Sequence, residues 1–226
     1  MNFNKATKLP IILIILMFIA GAIAYPYLSN NIPTHWNAAG KIDSYAAKSF
    51  WSVFMAPLIC SGLYLLFLFA PMLDPFRKNY EKFKKAYNLM IDFVIGFFSF
   101  VFAITLVASI NNNFKFDVAL NFGLGLLLIV LGNQMSTLRR NWFFGIRVPW
   151  TLADDTVWVK THRLGAKLFV VAGALTCIGA FLPRPYNIWM VMGPIAVFGT
   201  ISIVYSYLEF RKLHKKEIAS SQSSSQ

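Results

Sequence analysis

Apolar and polar positions alternate on a long scale along this chain. Six apolar runs, at roughly 9–28, 50–73, 89–110, 118–135, 164–182 and 186–208, are separated by polar connections. Each approaches the ~20 residues an α-helix needs to cross a hydrocarbon core about 30 Å thick. Backbone amides find no water in lipid, so a helix is the expected form of every run. A β-barrel would show alternating segments of about ten residues, and none occur. The pattern predicts an all-α polytopic membrane protein with six transmembrane helices.

Composition sharpens this. The chain is 57% hydrophobic and 13% charged, where a soluble domain carries about 25% charged residues. Mean hydropathy is +0.57. The net charge of +12 then has to be read connection by connection. Basic residues lie before the first run (Lys5, Lys8), between the second and third (Arg77, Lys78, Lys82, Lys84, Lys85), around the connection into the fifth (Arg139, Arg140, Arg147, Lys160, Arg163, Lys167) and after the sixth (Arg211, Lys212, Lys215, Lys216). The alternate connections hold only Lys41, Lys48, Lys115 and Arg184. The division is 17 to 4, and the positive-inside rule predicts that both termini are cytoplasmic. Anionic lipid headgroups suffice as the partner of this charge, so direct nucleic-acid binding is not expected. The tryptophans follow the same layout. Trp36, Trp51 and Trp189 are expected at outer boundaries and Trp142, Trp150 and Trp158 on the inner side.

Lys5, Lys8, the first run and Ala22-Ile23-Ala24 are similar to a secretory signal with a small-residue cleavage site. The run is long for a signal and five more follow, so retention as a span is the expectation. Cys60 and Cys177 lie inside runs, where a thiol behaves as a small hydrophobe. The last residues, 219–226, are rich in Ser and Gln, a composition too poor in apolar side chains to pack. The chain divides into a two-helix region with an external loop (1–73), a basic connection and third span (74–117), a C-terminal region with an internal loop (118–210) and a tail (211–226).

Transport sites usually place strongly polar residues mid-membrane. Here Asp92, Asn133 and Lys167 all sit near the cytoplasmic ends of their runs. Asp92 and Lys167 are expected either to pair or to be interfacial, with Lys167 snorkelling to the headgroups.

Two loops carry the remaining information. The external one, IPTHWNAAGKIDSYAAK, has Pro33 to stop a helix and a turn-like Asn37 to Gly40. His35 and Asp43 could pair across that turn, with Trp36 as an interfacial anchor. The internal one, NWFFGIRVPWTLADD, is broken by Gly145 and Pro149 and is expected to lie in the headgroup layer as a cytoplasmic interfacial loop. Thr151 followed by Asp154 matches a helix N-cap, predicting a helix from near Leu152. On it Asp154, Trp158 and His162 fall near one face. Asp154, Asp155 and His162 are the only set that invites an acid–base or metal reading, and capping accounts for the acids. No catalytic residue, metal ligand or cofactor is therefore assigned.

The order Gly132-Asn133, Arg139, Asn141-Trp142, Gly145-Ile146-Arg147, Pro149-Trp150-Thr151-Leu152, Val157-Trp158 and Lys160-Thr161-His162-Arg163-Leu164-Gly165 resembles the SdpI family of bacterial membrane proteins. Pro33, His35-Trp36-Asn37, Gly40, Asp43 and Lys48 look like the domain of unknown function that often precedes that region. Ser136-Thr137, where a Pro-Lys is expected, and Val148, in place of a common Thr, depart from the pattern. The resemblance implies a multi-pass protein of the bacterial inner membrane. The family's founding member confers immunity to a secreted toxic peptide and sequesters a transcriptional repressor. The implied partners are thus membrane lipids, a toxic peptide outside and a repressor protein inside. The implied motif residues are Asn133, Arg139, Asn141, Trp142, Gly145, Arg147, Pro149, Trp150, Trp158, His162 and Arg163, with Pro33, His35, Trp36, Asn37, Gly40 and Asp43 outside. The alternative is a transporter or lipid-handling protein whose arginines grip a phosphate headgroup. A membrane enzyme using His162 ranks third.

Overall fold

The structure, a computed structural model, describes residues 8–37, 42–111 and 114–223. In chain order the elements are α1 (Leu9–Ala24), β1 (Asn31–Trp36), β2 (Ile42–Ala47), α2 (Phe50–Leu73), α3 (Lys84–Ile110), α4 (Phe116–Met135), α5 (Pro149–Ala153), α6 (Asp155–Gly179) and α7 (Tyr186–Ser223). Short 3₁₀ segments follow α1 (Tyr25–Tyr27) and precede α3 (Arg77–Phe83).

Five helical segments are long and apolar enough to cross a membrane: Leu9–Tyr27, Phe50–Leu73, Arg77–Ile110, Phe116–Met135 and Tyr186–Leu213. They correspond to five of the six expected runs. The expected fifth run is only the second half of α6, which begins nine residues earlier than residue 164. Lys160, His162, Arg163 and Lys167 in its first half dilute the apolar character. The external loop is also more regular than expected, since β1 and β2 form an antiparallel hairpin with Asn31 opposite Ala47 and Pro33 opposite Tyr45. Gly40 lies outside the described residues, as does the side chain of Trp36.

The helices pack in sequence order. α1, α2 and α3 contact one another, α3 contacts α4, and α6 lies between α4 and α7. The α4–α6 crossing is built on glycines. A Cβ on Gly125 would stand 2.7 Å from the Gly173 carbonyl, and one on Gly132 would stand 2.9 Å from the Val170 amide. Small residues let helix backbones approach closely where lipid supplies no hydrophobic drive between them.

Prolines inside the helices show how backbone polarity is kept satisfied. Pro71 has no N–H for the Phe67 carbonyl four residues back, and the Tyr87 hydroxyl of α3 donates to that oxygen instead, at 2.7 Å. Pro194 in α7 likewise frees the Met190 carbonyl, which accepts from the Thr176 hydroxyl of α6 at 3.4 Å. Neighbouring helices re-satisfy groups that lipid could not.

Candidate functional site

The internal motif folds as one tightly bonded loop between α4 and α6. Asn141, fully buried, organises its first half. Its Oδ1 accepts from the amides of Phe143 (2.9 Å) and Phe144 (2.7 Å), and its Nδ2 donates to the Arg139 carbonyl (2.9 Å). An asparagine side chain can mimic a backbone turn in this way. Phe144 is thereby turned inward, 5.3 Å from the Phe67 ring and 5.1 Å from the Tyr87 ring. Phe144 is therefore not free to lie in a headgroup layer as expected. Trp142 is half exposed, but Phe144 is part of the core.

Gly145 has φ +103°, and a Cβ there would run into His162 Nε2. Backbone freedom and space both require glycine. The close approach serves a hydrogen bond, because the next amide, Ile146 N–H, donates to His162 Nε2 at 3.0 Å. His162 Nδ1 lies 2.8 Å from the Trp158 carbonyl. An amide only donates and a carbonyl only accepts, so the ring is held as the neutral Nδ1–H tautomer. The ring stacks on Trp158 with centroids 4.0 Å apart, and both residues are wholly buried. His162 precedes the apolar half of α6, and burial lowers its pKa from 6.5 to about 4. Trp158 Nε1 donates to the Leu138 carbonyl at 3.0 Å. Trp158 is thus a core residue and not the interfacial anchor expected from its position.

The second half corrects the capping assignment. Thr151 does not cap a helix that continues into α6. It sits buried in short α5, where its hydroxyl accepts from Val148 N–H (3.0 Å) and donates to the Ile146 carbonyl (2.8 Å). Asp154 is the N-cap of α6, accepting from Val157 N–H at 2.8 Å. Arg140 closes the loop. Its Nη1 donates to the Leu152 and Ala153 carbonyls, its Nε lies 3.0 Å from Asp155 Oδ1, and its guanidinium covers the Phe76 ring at 4.5 Å. Trp150 Nε1 donates to Ser206 of α7 and its ring meets Tyr207 edge-on at 5.4 Å. The Arg147 guanidinium donates to the Trp142 carbonyl. Asp154, Asp155 and His162 are each committed to a different structural bond, so they do not form an acid–base or metal set. No cluster suited to a metal occurs among the described residues.

Asp74 is a residue that sequence reasoning missed. It ends α2 and is 2% exposed. Oδ1 accepts from Phe76 N–H (2.7 Å), while Oδ2 accepts from the Tyr80 hydroxyl (2.7 Å) and from Trp142 N–H (2.8 Å). One carboxylate therefore ties the second helix to the loop 68 residues later in sequence. The Asp-Pro pair closing an apolar run was the available signal. Glu209 was missed too; α7 holds it nearly buried between Lys160 (2.7 Å) and Lys212 (2.9 Å).

Asn133, Arg139, Arg147, Pro149 and Arg163 are exposed around this framework. Lys167 is exposed on α6, whereas half-buried Asp92 lines a groove with α1 and α4, an arrangement that favours snorkelling for Lys167.

The hairpin occupies the other ends of α2 and α4. His35 Nδ1 and Asp43 Oδ1 are 2.6 Å apart, the pairing expected across the turn, and Pro33 is buried. Arg184, before α7, pairs with Asp117 of α4 at 2.8 Å and reaches the Asn37 carbonyl at 3.5 Å.

The fold and these two sites define a polytopic helical membrane protein with an ordered loop at one end and a hairpin at the other. Residues 137–206 match the family model described as the SdpI/YfhL protein family, and residues 12–60 match a domain of unknown function, DUF1648. Residues 137–206 thus carry the pattern of the SdpI/YfhL family, and the chain is a multi-pass protein of the bacterial cell membrane. It is 29% identical over 210 residues to Immunity protein SdpI of Bacillus subtilis (strain 168), covering 93% of this chain and 98% of that protein. No solved structure matches it.

Proposed function

We propose that this chain is an immunity protein that protects the bacterial membrane against a membrane-active toxic peptide. The observation that carries the reading is the extent of the similarity to Immunity protein SdpI, which runs through the hairpin, the long helices and the internal loop alike. The family is one of immunity proteins rather than enzymes, and the hydrogen bonds that hold buried His162 and the capping Asp154 support a structural role for both.

In this reading α6 crosses the membrane as a sixth span and both termini are cytoplasmic. The packing of α6 between α4 and α7 and the 17-to-4 division of basic residues support that topology. Residues 1–73 with the hairpin form the receiving region, and residues 118–210 with the loop form the responding one. The peptide meets the hairpin around His35, and the chain doubles as a signal receptor. Exposed Arg139, Trp142 and Arg147 on the rigid loop, with Arg163 on α6, are the surface that holds a transcriptional repressor at the membrane.

Deleting the gene and challenging the strain with secreted membrane-active peptides tests the reading. Sensitivity to at least one peptide is expected to rise and to return to normal on complementation. Unchanged sensitivity to all of them contradicts it.

A further inference from the structure

Two basic segments from different connections of the chain are locked together at one end of the bundle. The segment between α2 and α3, residues 74–83, is docked on the internal loop by three contacts. Asp74 accepts from Trp142 N–H (2.8 Å), Asn79 Nδ2 donates to the Arg140 carbonyl 61 residues later (2.9 Å), and the Arg140 guanidinium covers the Phe76 ring. Tyr80, buried in the same segment, lies within electrostatic reach of Arg147. The docking sets Arg77, Lys78 and Lys82 beside Arg139 and Arg147, and all five are exposed. Trp142 stands among them half exposed, with its backbone pinned on both sides. Its N–H donates to Asp74 and its carbonyl accepts from the Arg147 guanidinium.

We propose that this two-segment face docks an acidic protein surface, which takes the Trp142 indole in an apolar pocket and sets carboxylates against Lys78 and Arg139. The proposal rests on the reading of the loop as the holder of a repressor, supplies that partner's chemistry and adds residues 74–83 to the site. Tryptophan and arginine carry most of the energy of protein interfaces. A fixed indole loses little freedom on binding, so its contact is not offset by ordering. Cations outnumber the exposed carboxylates of Glu81 and Asp155, which stay in the face paired with Lys84 (3.8 Å) and Arg140 (3.0 Å). Those two carboxylates select the occupant. A uniformly anionic bilayer would repel them and has no use for an indole pinned by two backbone bonds, whereas a protein can match both signs in register.

The test uses the full chain in phosphatidylcholine nanodiscs. The probes are two synthetic amphipathic helices of about 20 residues, each with one Leu face, and with Glu on the other face of one and Gln on that of its twin. The wild-type chain is expected to bind the Glu peptide about tenfold more tightly than the Gln peptide. Lys78→Glu and Arg139→Glu each remove that preference, whereas Lys215→Glu on α7 leaves it in place. Trp142→Ala keeps the charge and both backbone bonds, and weakens both peptides by about tenfold. Equal binding of the two peptides to the wild-type chain overturns the proposal, as does a preference that survives Lys78→Glu. The membrane is tested as the rival occupant with a spin label on Lys78→Cys in discs containing phosphatidylglycerol. The label is expected to collide with a water-soluble nickel chelate; a label reached only by oxygen dissolved in lipid overturns the proposal. If Trp142→Ala fails to fold, the exposed Lys78 and Arg139 variants still decide. Loss of the preference in Arg139→Glu alone would sink the two-segment face and leave the docking reading of the loop standing, whereas a chain that binds neither peptide would sink both.

Discussion

His162 holds two parts of the chain together through one neutral ring. Its Nε2 accepts the Ile146 amide and its Nδ1–H bonds the Trp158 carbonyl. Protonation would convert the acceptor into a donor facing another donor. The sign of the pH dependence follows. The folded-state pKa is about 4 against an ordinary 6.5, so between those values the unfolded loop takes up a proton that the folded loop refuses. Stability is full above about pH 6.5, falls as pH drops toward about 4 and levels off below it. Melting curves of the wild type and His162→Gln in detergent should diverge least at low pH and most above 6.5. Gly145→Ala is expected to cost about 1–3 kcal/mol, because it combines a positive φ with a Cβ against the imidazole. The same melting measurement checks it, and an unchanged midpoint would show that the loop is not tightly held. Asp74→Ala should release Trp142 N–H and the Tyr80 hydroxyl together and cost at least ~1–3 kcal/mol for a buried donor left unpaired. The intrinsic fluorescence of Trp142 should then shift with its surroundings.

At the scale of elements, the α4–α6 crossing is the most demanding contact. Gly125 and Gly173 face one another with no room for a side chain on either. Gly173→Leu should force the helices apart at a cost of about 1–3 kcal/mol or more, read as a lower melting temperature and faster proteolysis of the 139–154 loop. Helix existence was legible in the sequence because apolar runs of about 20 residues have one solution in lipid. The Phe50–Leu73 helix matches its run at both ends. Ends set by capping were less legible. Thr151 and Asp154 both satisfy the chemistry of an N-cap, and only the fold shows that Asp154 caps α6 while Thr151 braces the turn before it. The hairpin was hidden because Pro33 and the turn residues read equally well as an irregular loop.

For the whole molecule, residues far apart in sequence meet at both ends of the bundle. Asp74 reaches Trp142, and Asp117 reaches Arg184. The motif itself was legible in the sequence, and Asn141, Gly145 and His162 prove to hold its shape. Asp74 and Glu209 were not, because a lone acid beside an apolar run reveals neither its burial nor a distant partner. Trp158 misled for the same reason, since an indole at the edge of a run looks interfacial until α6 is seen to begin nine residues earlier. The topology has its own expected outcome. In intact cells, Tyr45→Cys on the hairpin should react with a membrane-impermeant maleimide, while Lys78→Cys should react only after permeabilisation. Labelling of both from outside would overturn the orientation.

The most direct test of the immunity reading is survival of a toxin-sensitive host that expresses this chain, with Asn141→Ala expressed to the same level in the membrane. The wild-type chain is predicted to protect, and Asn141→Ala, which loses the three bonds that shape the loop, to protect poorly. Killing of the wild-type-expressing host at the rate of the empty-vector control would contradict it.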